Sequence, residues 1–137
     1  MNGHRRFGAV TAASAADSPL YLLGEARIQD ALNDVEASLA LYKRVLHLDA
    51  CNVEAIACMA AQHFYSDQPE VALRFYRRLL MLGVANAELW NNMGLCCFYA
   101  SQFDITLRCF ENALLVADDL VQADIWYELR FPGPVRQ

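Results

Sequence analysis

The stretches HFYSDQ (63–68) and CFYASQ (97–102) have Phe, Tyr and Gln at the same places. The interval from Phe64 to Phe98 also separates Leu73 from Leu107 further downstream, so it is a repeat period. A period between about 20 and 50 residues is typical of repeat proteins, in which each repeat buries its apolar face only by stacking on the next one. The sequence therefore predicts a chain of similar modules.

Divided at this period, the chain contains three complete repeats and a partial one: 19–52, 53–86, 87–120 and 121–130. Each complete repeat holds two stretches with the apolar spacing of an amphipathic helix, separated by a short polar break. No segment alternates apolar and polar residues over the length of a strand. The sequence therefore predicts an all-α fold made of helix–turn–helix modules.

The period and the pattern of residue sizes match the tetratricopeptide repeat, which is about 34 residues long. Small residues recur where two helices would approach closely, and large residues recur where one repeat would pack on the next. The small positions are Ala26, Ala60 and Gly94 in the first helices and Ser38, Ala72 and Thr106 in the second helices, and the large positions are Tyr42, Tyr76 and Phe110. We therefore expect a tetratricopeptide-type right-handed superhelix of antiparallel helix pairs.

The two ends of the chain differ from the repeats. Residues 1–18 contain two arginines, many Ala and Ser residues, and no acid before Asp17. A transit peptide has a similar composition, but the glycines of this segment weaken a helix, so we expect a disordered leader. After the partial repeat, the sequence FPGP begins an irregular tail, 131–137, because proline and glycine stop a helix.

The composition narrows the classes of function. The chain of 137 residues is 56% apolar and 20% charged, with a net charge of −5. This acidic balance disfavours nucleic-acid binding, which needs clustered Lys and Arg to neutralise phosphates. The cysteines number five, an odd count that includes the adjacent Cys96 and Cys97, and they indicate reduced thiols and a cytoplasmic location. No apolar run approaches the roughly 20 residues of a membrane-spanning helix.

The sequence offers little for catalysis or for a cofactor. Cys51, Cys58 and His63 do not have the spacing of a zinc site. The glycines form no phosphate-binding loop, and no Ser or Cys lies in a nucleophile motif beside a histidine. Cys97 occupies a helix-packing position, so we interpret it as a core residue. We expect no catalytic residue, no cofactor and no metal.

Several segments are more specific than the general repeat: HFYSDQPEVALRFYRRLL (63–80), NNMGLCCFYASQFDITL (91–107), VEAIAC (53–58) and DIWYEL (124–129). They resemble the tetratricopeptide repeat protein 8 family, the Bardet–Biedl syndrome subunit of the BBSome coat. The resemblance covers about residues 26–129. Where the family continues with further repeats, this chain has Arg130 and prolines, so we expect a truncated or alternatively spliced form, or a gene-model artefact.

The resemblance implies a non-enzymatic scaffold within a complex that carries membrane proteins to and from cilia. Its partners would be other subunits of this ciliary coat, and it would meet membranes only through the complex. It would lie in the cytoplasm, at the cilium, the basal body or the centrosome. Three alternatives stay open: a general tetratricopeptide adaptor in another cytosolic complex, a regulatory domain of an enzyme assembly, and an enzyme itself.

The resemblance also implies which first-helix positions face the concave groove of the repeats. These are Glu54, Ala57, Ala61, Phe64 and Tyr65 in the second repeat and Glu88, Asn91, Leu95, Phe98 and Tyr99 in the third. The repeated Phe-Tyr would form an aromatic ladder with acids at one end, which suits binding of a helix or an extended peptide. The alternative is that Phe64 and Phe98 fill the core between repeats, which leaves Tyr65 and Tyr99 as the exposed pair.

A second candidate surface is a basic cluster on the second helix of the second repeat, formed by Arg74, Arg77 and Arg78. It is either a convex patch for an acidic partner or an anionic membrane, or an ordinary solvated helix face. Capture of a chaperone's C-terminal carboxylate is disfavoured. At the corresponding groove positions, only Arg27 could bind a carboxylate.

Overall fold

A computed structural model of the protein describes residues 15–117. The helices are α1 (Pro19–Ala31), α2 (Val35–Leu48), α3 (Val53–Tyr65), α4 (Pro69–Met81), α5 (Ala87–Tyr99) and α6 (Phe103–Val116). None of the residues between 15 and 117 forms a strand, so the prediction of an all-α fold is confirmed. No helix in this part of the chain has the length and apolar character needed to cross a membrane.

The helices recur with the period of the sequence. The first helices begin at Pro19, Val53 and Ala87, and the second helices begin at Val35, Pro69 and Phe103. In both series, successive starts are separated by the interval that separates Phe64 from Phe98. Of the predicted divisions, the beginning of the leader, the partial fourth repeat and the tail lie outside the described residues.

Polar caps explain where several helices begin. The side chain of Ser18 accepts a hydrogen bond from the Tyr21 backbone N–H and precedes Pro19, which suits the first turn of a helix. Asp34, Asn52 and Asn86 cap α2, α3 and α5 in the same way, each accepting from the backbone N–H three residues ahead. Such a cap contributes about 1 kcal/mol, because it satisfies an N–H that the helix leaves unpaired.

The turns inside the three helix pairs share one backbone conformation. Asn33, Asp67 and Ser101, which hold the same position in successive repeats, have φ angles of 58°, 59° and 60°. The next N–H after each of these residues bonds back to a carbonyl five residues earlier, as in the Gln102 N–H bond of 2.8 Å to the Cys97 carbonyl. This is the Schellman arrangement, in which a left-handed residue ends the helix and satisfies its last carbonyls. The polar breaks of the sequence are therefore three copies of one turn.

The chain divides into two compact units, and the boundary in the sequence falls between Ala55 and Ile56, in the first turn of α3. In the N-terminal unit, α1 packs on α2. Its core is formed by Leu22, Leu23, Ala26, Ser38, Tyr42 and Val45. Tyr42 is fully buried, and its hydroxyl donates a hydrogen bond of 2.6 Å to the Asp30 carboxylate. The hydroxyl of this buried ring is therefore satisfied inside the unit.

In the C-terminal unit, α4 packs on α5, and α5 packs on α6. Its largest buried side chains include Ile56, Tyr76, Cys96, Cys97 and Phe110. The predicted small positions and the predicted large positions are all buried in the two units. Buried Thr106 donates its hydroxyl hydrogen to the Gln102 carbonyl at 3.0 Å, so this small polar residue is also satisfied. Small and large residues thus occupy the packing positions that the sequence indicated.

Candidate functional site

The C-terminal unit contains a pocket of about 210 Å³ between α3, α4 and α5. Its lining consists of Ala61, Phe64, Tyr65, Tyr76, Glu88, Asn92 and Leu95. Five of these residues belong to the predicted groove: Ala61, Phe64, Tyr65, Glu88 and Leu95. The structure therefore brings half of the ten predicted groove residues to one concavity. We call this concavity the aromatic pocket.

Aromatic side chains continue from the pocket along the same unit. The Phe64 ring lies 5.6 Å from the Tyr65 ring and 5.8 Å from the Tyr99 ring, measured between centroids. The Phe98 ring lies 5.3 Å from Tyr99 and 5.8 Å from Phe103. These tilted and edge-to-face contacts fall within the range that aromatic pairs favour. The two Phe-Tyr pairs and Phe103 thus form one row of touching rings, which we call the aromatic row.

The side chains of the aromatic row differ in their exposure to solvent. Tyr65 is 57% exposed, whereas Phe64, Phe98 and Tyr99 are half-buried. The expectation that Tyr65 and Tyr99 form the exposed pair is thus correct for Tyr65 only. Tyr99 loses exposure because its ring packs between Phe64 and Phe98. The two phenylalanines are neither wholly core nor wholly surface, so each presents part of its ring to solvent.

Two lining residues were not predicted for the groove. Tyr76 was assigned to the core, and it is 6% exposed, yet part of its surface lines the pocket. Burial is the main factor that raises the pKa of its hydroxyl above the ordinary value, with smaller contributions from neighbours that include Tyr65 and Glu88. Asn92 lines the pocket in place of the predicted Asn91. A position pattern could not distinguish these adjacent asparagines.

The other predicted groove residues lie outside the lining of the aromatic pocket. Ala57 and Asn91 are half-buried. The side-chain oxygen of Asn91 is buried and accepts no hydrogen bond within the described part of the chain. Phe98 and Tyr99 belong to the aromatic row instead. Glu54 belongs to the N-terminal unit, where its carboxylate has a different role.

Glu54 forms a two-pronged ion pair with Arg27. The guanidinium Nε donates to Oε1 and the Nη2 donates to Oε2 of the carboxylate. This hydrogen bonding lowers the pKa of the Glu54 carboxyl below its ordinary value. Arg27 is therefore occupied by an internal carboxylate.

The basic cluster lies on α4, and all three of its arginines are exposed. The Arg78 guanidinium carbon lies 5.9 Å from the centre of the Phe75 ring. Phe75 in turn stacks on His63, with ring centroids 5.5 Å apart and an interplanar angle of 7°. Arg78 thus covers an aromatic ring, as cations commonly do. Arg74 and Arg77 remain as exposed charges beside it.

The surroundings of His63 and the cysteines are those of residues with a structural role. His63 contacts Gln68 at 2.8 Å between Nδ1 and Oε1, in addition to stacking on Phe75. Cys51 is exposed, Cys58 is half-buried, and Cys96, Cys97 and Cys109 are buried. Among residues 15–117, no three His, Cys, Asp or Glu side chains are grouped so that they could hold a metal ion. Cys97 lies in the core, as its packing position indicated.

Comparison with curated proteins shows similarity to tetratricopeptide repeat protein 8. The mouse protein is 57% identical to this chain over 50 residues, and the Caenorhabditis elegans protein is 48% identical over 50 residues. The human protein is 55% identical over 48 residues. The two matches of 50 residues cover 36% of this chain and 10% of each relative. The chain therefore spans about a tenth of the length of the curated relatives it matches. No family model matches the chain.

Comparison with solved structures identifies the fold. The MamA protein superimposes with a TM-score of 0.74 at 19% identity, covering 83% of this chain and 61% of that chain. The Sgt2 TPR domain from Aspergillus fumigatus superimposes with a TM-score of 0.63 at 17% identity, covering 85% of this chain and 84% of that chain. At these identities the likeness concerns the fold alone. The chain has a tetratricopeptide-type fold and is related to tetratricopeptide repeat protein 8 over about 50 residues.

Proposed function

We propose that the chain is a non-enzymatic protein-interaction scaffold that acts as a BBSome-type subunit in the transport of membrane proteins to cilia. The observation that carries this proposal is the 57% identity to mouse tetratricopeptide repeat protein 8 over 50 residues. A match of this strength is far above the 17–19% identity that this chain has to proteins of the same fold. It supports a relationship at the level of one family, beyond the shared architecture.

The aromatic pocket and the aromatic row supply the partner-binding surface in this proposal. Aromatic side chains anchor partners well, because they contribute large contact areas and lose little conformational entropy on binding. Tyr65 presents the most exposed ring of the row's Phe-Tyr pairs. Glu88 places a negative charge at the pocket, which favours a partner segment with a basic residue beside an apolar one. The occupant would therefore be a helix or an extended segment of another protein.

The cellular location that we propose for the chain follows from its proposed partner, a ciliary coat. A scaffold bound to a ciliary coat would lie in the cytoplasm at the cilium, the basal body or the centrosome. It would reach membranes only through the complex. The exposed arginines of the basic cluster could add a contact with an acidic partner. A cluster of three is too small to hold an anionic membrane alone, at about 1 kcal/mol for each basic residue.

The experiment is affinity purification of the tagged full-length chain from ciliated cells, with identification of the bound proteins by mass spectrometry. Co-elution of coat subunits that assemble with tetratricopeptide repeat protein 8 is the expected result. If the folded chain is recovered without any of these subunits, the ciliary proposal is wrong. A stable set of different cytosolic partners would indicate a general tetratricopeptide adaptor instead.

A pair of variants tests the surface separately. Tyr65→Ala combined with Tyr99→Ala should weaken capture of the partners while circular dichroism shows unchanged helicity. Leu115→Ala is the matched control, because Leu115 is 82% exposed on α6 and lies outside the aromatic pocket. If the double variant and the control capture the partners equally well, the pocket and the row are not the binding surface.

A further inference from the structure

A second cavity lies beside the aromatic row, at the turn between α3 and α4. It has a volume of about 450 Å³, with residues 67–71 on one side and Tyr99 and Ala100, at the end of α5, on the other. We call this cavity the edge pocket. Asp67 and Glu70 are exposed in it, whereas Tyr99 is half-buried. The edge pocket therefore combines two carboxylates with part of an aromatic ring.

The aromatic row joins the edge pocket to the aromatic pocket. Phe64 lines the aromatic pocket and Tyr99 lines the edge pocket, and the centroids of their rings are 5.8 Å apart. Alternate residues of an extended chain point to the same side, so their side chains are separated by roughly 7 Å along it. One extended segment of a partner can therefore place one side chain in each pocket.

The turn that forms the edge pocket recurs in the next repeat. A cavity of about 300 Å³ is lined by residues 101–105, which lie one period after residues 67–71. Each turn begins with a left-handed residue, Asp67 or Ser101, and each following helix has an acid at its second position, Glu70 or Asp104. The concavity thus belongs to the repeat. The edge pocket is the more acidic of the two cavities, because Asp67 stands where the next repeat has Ser101.

The charges of the C-terminal unit are segregated between its cavities and its helix faces. The aromatic pocket contains Glu88, and the two cavities at the turns contain Asp67, Glu70 and Asp104. None of these three cavities is lined by a Lys, Arg or His of the described residues. Within residues 15–117, neither Asp67 nor Glu70 forms an ion pair, although Arg74 lies one helical turn from Glu70. Both carboxylates can therefore accept hydrogen bonds from a cation supplied by another molecule.

We propose that the edge pocket binds an arginine side chain of the same partner segment whose apolar side chain occupies the aromatic pocket. This inference rests on the proposed scaffold function and adds to it the chemistry of the segment that is recognised. Arginine suits the edge pocket because its guanidinium donates several N–H groups to carboxylates while it stacks on an aromatic face, here that of Tyr99. The surface thus selects an extended segment that has an arginine and a large apolar residue two positions apart. An acidic segment is rejected, because every charge in the three cavities is negative.

The test is an NMR titration of the isotope-labelled full-length chain with three acetylated and amidated peptides. The peptides are Arg-Ala-Phe-Ala-Arg, Gln-Ala-Phe-Ala-Gln and Glu-Ala-Phe-Ala-Glu, which present the same order of side chains in either chain direction. We expect the arginine peptide to bind roughly five-fold more tightly than the glutamine peptide, through exposed ion pairs and a cation–ring contact, and the glutamate peptide to bind most weakly. The amide shifts of Glu70 and Ala100 should change. Equal affinities for the arginine and glutamine peptides, or shift changes confined to other parts of the chain, would overturn the proposal.

Charge-neutralising variants give a second measurement. Asp67→Asn combined with Glu70→Gln should abolish the preference for the arginine peptide, while circular dichroism shows unchanged helicity. Glu111→Gln is the matched control and should keep the preference, because Glu111 is exposed on α6 and lines none of the three cavities. If the folded double variant still prefers the arginine peptide, the edge pocket is not the binding site and the proposal fails.

The failure of this proposal is distinguishable from the failure of the scaffold function. A chain that recovers coat subunits from ciliated cells but binds the arginine and glutamine peptides equally contradicts the edge pocket alone. A chain that prefers the arginine peptide, and loses this preference in the double variant, but recovers no coat subunit supports the edge pocket and contradicts the ciliary function alone.

Discussion

The Phe110 ring lies directly against the backbone of Gly94. A Cβ atom placed on Gly94 would lie 2.7 Å from Cε1 and 2.9 Å from Cδ1 of that ring. Phe110 is 2% exposed, so the ring has little room to move away. The small residue on α5 and the large residue on α6 are thus complementary, which is how the tetratricopeptide pattern fits two helices closely together.

Gly94→Ala should lower the free energy of unfolding. Alanine favours a helix over glycine by about 1 kcal/mol, but overpacking a core costs about 1–3 kcal/mol, and the contacts here are closer than a real Cβ tolerates. We expect a net loss of about 1 kcal/mol or more in urea-induced unfolding. Adding Phe110→Leu to this variant should recover part of the loss, because the smaller side chain leaves space for the new methyl group.

Gly24→Ala is the matched control for this prediction. Gly24 also lies inside a helix, and a Cβ atom placed there would meet nothing within 4 Å. The substitution should therefore leave stability unchanged or raise it by up to about 1 kcal/mol. If the two alanine variants shift stability by the same amount and sign, close packing of Gly94 on Phe110 does not matter to the fold.

Ser101→Gly should stabilise the protein by roughly 0.5–1 kcal/mol, because glycine adopts a left-handed conformation without the steric cost that a Cβ atom brings. Ser101 has this conformation, with a φ of 60°. Ala100→Gly is the control, because the neighbouring Ala100 has a φ of −86° and gains nothing from glycine. Thermal unfolding of both variants provides the measurement. A lower midpoint for Ser101→Gly than for the unmodified chain would contradict the role of this turn.

The Arg27–Glu54 pair should make part of the stability depend on pH. The pKa of Glu54 is lowered in the folded state from its ordinary 4.5, because the carboxylate accepts hydrogen bonds from Arg27. This contribution is therefore present above the ordinary pKa and is lost as the pH falls through the folded pKa. The side chains of Arg27 and Glu54 are 56% and 37% exposed, so it should amount to less than about 1 kcal/mol.

Glu54→Gln isolates this contribution. The variant should be less stable than the unmodified chain at neutral pH, and the difference should shrink as the pH is lowered below 4.5, the ordinary pKa of the carboxyl. Urea unfolding at a series of pH values measures it. A difference that stays constant or grows on acidification would show that the ion pair is not its source.

Much of the fold could be predicted from the repeat period of the sequence. Residues one period apart occupy equivalent surroundings, so Ala60 and Gly94 could be assigned to close helix contacts from their size alone. The resemblance to the repeat family implied one aromatic ladder of the two Phe-Tyr pairs, although it did not show that Tyr99 would be covered by its neighbours. Burial of one ring depends on the tilt of several others, and spacing does not contain that information.

Less of the candidate site than of the fold could be predicted from the sequence. Glu54 was placed in the groove by its position, but Arg27, on the first helix of the preceding repeat, binds it first. Tyr76 was assigned to the core, yet a large side chain can fill a core and still present an edge to a pocket.

We propose that the aromatic pocket binds another subunit of a ciliary coat. The most direct test replaces Tyr65 with the photo-crosslinking residue benzoylphenylalanine in the full-length chain, expressed in ciliated cells. Met81 is the control position, because it is 87% exposed and does not line the pocket. We predict that irradiation joins position 65, and not position 81, to a subunit that assembles with tetratricopeptide repeat protein 8. Equal crosslinking at the two positions, or none to such a subunit from position 65, would contradict the claim.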